Sequence, residues 1–195
     1  KQKSLARQER ILLSLKNFDY LTRKQIQKLH NLGSDRNAQR VLKHLEPYIN
    51  YFQEGKRVYY LNKEGREKVN CDVVRTKITT AQHYIMRNDL YIYLGRPAEW
   101  KNEVKLVSGE GKNEIVVIPD ARFIRDKYYL IEIDHLQKMK KNKVKIEKYR
   151  KLIERNAFKR RPKLIWVTMS EYRRKAIFEL CEGLDVEVYL HHEIN

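Results

Sequence analysis

The sequence predicts a mixed fold, α+β passing into α/β, in two parts. An N-terminal set of helices closed by a β-hairpin precedes a mixed sheet with flanking helices. Three observations predict it. Apolar residues recur at helical spacing as far as Leu45, then give way to aromatic and β-branched runs. Two such runs, 48–52 and 58–61, flank a polar stretch containing Gly55, which is hairpin chemistry. From Thr80 onward the pattern reads helix–β–β–β–helix–β–helix–β.

Taken in order, Ile11, Leu12 and Leu15 give the first helical stripe. Thr22 opens a second helix and makes a capping box with Gln25, and Ile26 and Leu29 continue it. Asn31-Leu32-Gly33 is a turn, and Ser34 caps a third helix with Ala38, Val41, Leu42 and Leu45 on one face. Its other face carries Arg36, Gln39, Arg40 and Lys43. The hairpin tip spans 53–57 and holds Lys56 and Arg57. Two short helices joined by a glycine turn, then a basic hairpin, resemble a winged helix-turn-helix. Such a unit places its third helix in the major groove and its wing on the phosphates. The plainer reading is a three-helix scaffold with a solvated basic face. Cations on both helix and wing favour duplex DNA, with Arg36, Gln39, Arg40, Lys43, Lys56 and Arg57 as contacts.

A short helix and connector fill 62–76. Thr80 to Leu94 is a helix, stopped by Gly95-Arg96-Pro97. Strands are expected around Val104–Leu106, from Ile115 to Phe123, from Tyr128 to Asp134, from Lys163 to Thr168 and from Val186 to Leu190. Helices fill 138–155 and 170–181. The expected boundaries are 1–70 for the first domain, 71–79 for a connector and 80–195 for the second.

Composition narrows the partners. Lys plus Arg number 42 against 25 Asp plus Glu, a net charge of +17. Residues 1–76 hold 17 basic and 8 acidic residues and the remainder 25 and 17, so both parts attract polyanions. No apolar run is long enough for a bilayer, and no signal peptide is visible, which points to a cytoplasmic protein without a membrane partner. Cys71 and Cys181 lack partner spacing and read as reduced thiols. Oligomeric state stays open, with a homodimer as one option.

The second part carries the chemistry. Pro119-Asp120 ends one apolar run and Glu132-Ile133-Asp134 ends the next. Alternation along a strand puts Glu132 and Asp134 on one face. Asp120 joins them only if hairpin partners sum to an even number. Adjacent carboxylates repel, and a hard cation such as Mg²⁺, with Mn²⁺ as substitute, relieves this through oxygen ligands. Glu103 is a further candidate ligand, although a solvated edge residue is its simpler reading. On the 138–155 helix, Lys145 falls inside the apolar arc between Tyr149 and Leu152, where a cation must find a carboxylate. Glu132 or Asp134 is the expected partner, in a structural pair or a catalytic one. Between Lys138 and Lys163 stand 13 basic and 2 acidic residues, a surface suited to phosphates. His191, His192 and Glu193 are expected in a solvent-exposed tail.

Pro119-Asp120 and Glu132-Ile133-Asp134, with this element order, resemble the PD-(D/E)xK nuclease superfamily from about Thr80 to Leu190. That resemblance implies a restriction-endonuclease-like fold. It implies Mg²⁺ on Asp120 and Glu132, and a lysine that activates or orients water. Asp134 stands where that lysine belongs, and Lys145 is the candidate replacement. Nearly the whole chain also resembles the replication-relaxation proteins of bacterial plasmids and mobile elements. The resemblance rests on the first-domain pattern, His83 and Asn88, Trp100 and Glu103, Pro119-Asp120, and Glu132-Ile133-Asp134. It implies a part in plasmid DNA replication and relaxation. Two functions follow as expectations. One is a DNA-binding protein whose second domain nicks or cleaves DNA with Mg²⁺, using Asp120, Glu132, Asp134 and Lys145. The other is a non-catalytic DNA-binding regulator on an inactive nuclease fold.

Overall fold

The computed structural model describes residues 2–195. The fold is mixed α+β, and contacts divide it into two compact units, one ending at Ile92 and one beginning at Tyr93.

In the first unit, α1 (Gln2–Phe18) buries Ile11, Leu12, Leu15 and Phe18 along one stripe. It ends where Asp19 turns to φ 68°. A two-residue strand β1 (Leu21–Thr22) follows, which periodicity did not announce. Thr22 then caps α2 (Arg23–His30): its hydroxyl accepts from Gln25 N, and Gln25 Oε1 accepts from Thr22 N at 3.0 Å. Asn31 closes the helix in the left-handed region. Ser34 caps α3 (Asp35–Lys43), which buries Ala38, Val41 and Leu42. Strands β2 (Ile49–Glu54) and β3 (Lys56–Leu61) pair antiparallel with Glu54 opposite Lys56. The tip is therefore Gly55 alone, at φ 65°, and not the five residues expected. The sheet order is β1-β3-β2.

α4 (Lys63–Lys68) lies against the hairpin through Gly65. A Cβ there would stand 2.0 Å from Tyr48 O, so only glycine permits the approach. α5 (Ala81–Tyr93) completes this unit. Ala81 and Ile85 pack in one cluster with Tyr20, Phe52 and Val58. Asn88 Nδ2 donates to Phe18 O at 3.1 Å and Tyr20 O at 2.8 Å. Gln25 Nε2 donates to Ile85 O at 2.8 Å and Asp89 Oδ1 at 2.9 Å. This helix, expected in the second domain, is thus bonded into the first. Its polar face has no counterpart in an apolar pattern, so periodicity alone could not assign it.

The second unit holds a five-stranded sheet ordered β10-β9-β8-β7-β4. Its members are β4 (Lys101–Asn102), β7 (Ala121–Ile124), β8 (Tyr128–Asp134), β9 (Lys163–Thr168) and β10 (Val186–Leu190). β8, β9 and β10 run parallel, linked by α6 (Met139–Glu154) and α7 (Glu171–Leu180), while β7 and β4 are antiparallel. Strands β5 (Leu106–Ser108) and β6 (Ile115–Val117) pair in a separate ribbon.

Two expected strands are therefore broken. Glu103 sits at φ 50°, which ends β4 before Val104. The 115–123 run splits around Pro119, because proline has no N–H for a ladder. Ile146, Tyr149 and Leu152 of α6 pack on Leu130, Leu164 and Trp166 of the sheet. The chain closes in a short helix α8 (His191–Ile194), not a free tail. His191 is buried there, and Glu193 accepts from Arg174 at 2.8 Å. No described helix is long and apolar enough to cross a membrane.

Candidate functional site

Two polar constellations stand out, one in each unit. The first is an open groove of about 1430 Å³ between α2, α3 and the β2–β3 hairpin. Arg23, Lys24, Lys28, Lys43, Lys56 and Arg57 line it, against the acids Asp35 and Glu46. Small-molecule pockets are usually smaller, enclosed and mostly apolar. A wide basic groove is suited to a polyanion backbone. Arg23 is braced on Asp35 at 3.0 Å, and the Arg57 guanidinium lies 4.7 Å over the Tyr51 ring. Both contacts hold a cation at the groove wall while leaving donors for phosphate.

Of the residues singled out by sequence, Gln39, Lys43, Lys56 and Arg57 line this groove. Arg36 and Arg40 are exposed on α3 but lie outside it, and Arg40 donates to Asn37 Oδ1 at 2.9 Å. Arg23, Lys24 and Lys28 on α2 were missed. Their signal was the run of cations along the capped second helix.

The second constellation is the carboxylate cluster. Ala121 pairs with Ile131, an even sum, so Asp120 falls on the face of Glu132. Asp120 N donates to Ile131 O at 3.0 Å, and Asp120 Oδ2 accepts from Ile133 N at 2.6 Å. Glu132 is 1% exposed beneath α6. Lys145 Nζ reaches its Oε2, and the Tyr149 hydroxyl reaches Oε1. Burial, and then the neighbouring Asp120 charge, push the Glu132 carboxyl up to about 8, against the opposing pull of Lys145 and Tyr149. Burial, and then Glu132, raise the Tyr149 phenol well above its ordinary value.

Asp134 belongs to a different network. It is fully buried, and Arg173 grips it through Nε and Nη2 at 2.6 Å each. Thr168 Oγ1 and Asn142 Nδ2 also donate to it, both at 2.8 Å. The Arg173 guanidinium is raised by this hydrogen bonding to Asp134. Glu103 is exposed, and its N–H donates to Asp120 O at 3.3 Å.

These residues do not fit a hard divalent cation. Glu132 has both oxygens taken, by Lys145 and by Tyr149. Asp134 has both oxygens bound by a guanidinium, and Asp120 spends one on a backbone N–H. Among the described residues, no group of three His, Cys, Asp or Glu side chains converges to hold a metal. Two other motif residues, Asn88 and Trp100, brace the fold. Asn88 ties the 18–20 turn, and the Trp100 indole donates to Asn102 at 2.8 Å and stacks on Phe123 at 6.0 Å.

Comparison with known proteins adds the lineage. No curated protein matches the chain. Protein VC1899 from Vibrio cholerae, a solved crystal structure, is 14% identical, with a TM-score of 0.44. The match covers 98% of this chain and 48% of that one, so the chain spans about half its length. The replication-relaxation family matches residues 12–168, most of the sequence, including both constellations up to Thr168. The chain belongs to the replication-relaxation family.

Proposed function

We propose that this chain is a DNA-binding protein acting in replication or relaxation of plasmid or mobile-element DNA. Its first unit is read as a winged helix-turn-helix that docks on duplex DNA. The observation that carries this reading is the basic groove. Six cations from two helices and a hairpin face one opening, with two acids among them. Family membership supports the same reading. Phosphate contacts by such cations give salt-dependent affinity, and α3 supplies Gln39 for a base edge. In a fluorescence anisotropy titration, Lys24→Gln/Lys43→Gln lowers duplex affinity on every sequence tried. Wild-type affinity in that variant would remove the groove from the interface.

The second unit is read as a nuclease-like fold whose acidic cluster is structural. Lys145 on Glu132 carries that choice. Mg²⁺-dependent nicking is the rival, and it draws on the shared face of Asp120 and Glu132. Purified protein incubated with supercoiled plasmid and Mn²⁺ separates them. The structural reading expects intact plasmid. Nicking that disappears in Asp120→Asn would reverse it.

A further inference from the structure

The carboxyl ends of β8 and β9 form a rim that the groove reading does not use. Asp134 and Thr168 end those parallel strands side by side. The segments leaving them, 135–138 and 169–172, are therefore neighbours. They are also locked together, because Arg173 binds buried Asp134 and the carbonyl of Gln137. On these two segments, three apolar side chains face solvent. Leu136 and Tyr172 are each 83% exposed, and Met169 is 44% exposed. Single exposed apolar residues are ordinary, but here three stand on two neighbouring segments. Exposed lysines border it: Lys138, Lys140 and Lys141 on the α6 side and Lys175 on α7. The acid beside them, Glu171, is paired with Arg174 at 2.9 Å.

We propose that this rim binds a single-stranded nucleic-acid segment, with Tyr172 and Leu136 packing on unpaired bases and the α6 lysines on its phosphates. Charge complementarity selects a polyanion. The exposed ring and leucine select one with free base faces, because a duplex hides its faces in its own stack. The lock between the two segments holds the platform without covering it. The proposal lies in the other unit from the groove and stands or falls apart from it.

The test is anisotropy of a labelled oligothymidylate, which cannot self-pair, with the full chain. A labelled duplex and vesicles containing phosphatidylserine serve as the other arms. All assays are repeated in a Lys56→Gln/Arg57→Gln background. Tyr172→Ala/Leu136→Ala weakens single-strand binding by about 5- to 150-fold, the range set by losing a stacked base. Duplex binding stays within about twofold, since the rim contributes stacking and not groove contacts. Tyr172→Phe keeps the wild-type single-strand affinity. Both residues are solvent-exposed, and an unchanged circular dichroism melt confirms folding. Unchanged oligothymidylate affinity in the double variant overturns the proposal. So does an equal loss on duplex, or a loss confined to the vesicles.

Discussion

Glu132 concentrates the residue-scale physics. Its folded value, about 8, lies above the ordinary 4.5 of the unfolded chain. The folded state therefore holds more protons than the unfolded state between these values. The stabilisation this gives is fully present below about pH 4.5 and is lost as pH rises through about 8. Glu132→Gln cannot titrate, so its denaturation midpoint falls less steeply over that window than the wild type's. Equal slopes in urea melts from pH 5 to 8.5 (about the window's span) would show Glu132 ordinary. Asp134 is held by a guanidinium instead. Asp134→Asn leaves Arg173 without its anion and costs about 3 kcal/mol, read as a shift in urea midpoint at unchanged slope. Lys145→Met acts mainly on stability as well. Calorimetry with Mn²⁺ is expected to show no binding isotherm for the wild type. An isotherm that Asp120→Asn abolishes would return the acidic cluster to metal chemistry.

At the scale of elements, close approach decides more than propensity. Gly65→Ala drives a methyl into the Tyr48 carbonyl and costs about 1–3 kcal/mol, seen as a lower melting temperature. A melt unchanged from wild type would mean that α4 can shift off the hairpin at little cost. Much of this scale was legible in the sequence. The Thr22–Gln25 box, the Ser34 cap and the 128–134 and 163–168 strands are local chemistry, and local chemistry is written in neighbouring residues. The inward position of Lys145 also followed from helical geometry. What was hidden depends on distant partners. Asn88 binds the 18–20 turn from 68 and 70 residues away, and Arg173 reaches Asp134 across 39. No spacing rule shows such pairs. Pro119 and the left-handed Glu103 broke strands that composition made look continuous.

For the whole molecule, the division of the chain and its charge carry the account. Contacts separate it at Ile92/Tyr93, beyond the 71–79 connector expected from pattern. A fragment ending at residue 79 lacks α5, and so loses Ala81, Ile85 and the Asn88 bonds from its core. It unfolds at lower urea concentration than one ending at residue 93. Equal midpoints would return α5 to the second domain. A net charge of +17 attracts any polyanion from all directions, so bare affinity for DNA says little about a docking site. Salt dependence says more, since each phosphate contact releases counterions. The most direct measurement is therefore the slope of log affinity against log salt for duplex DNA, in wild type and in Lys56→Gln/Arg57→Gln. The groove account predicts a slope shallower by about 1.8 in the double variant, two contacts at about 0.9 each. An unchanged slope would contradict it and place the duplex elsewhere on the protein.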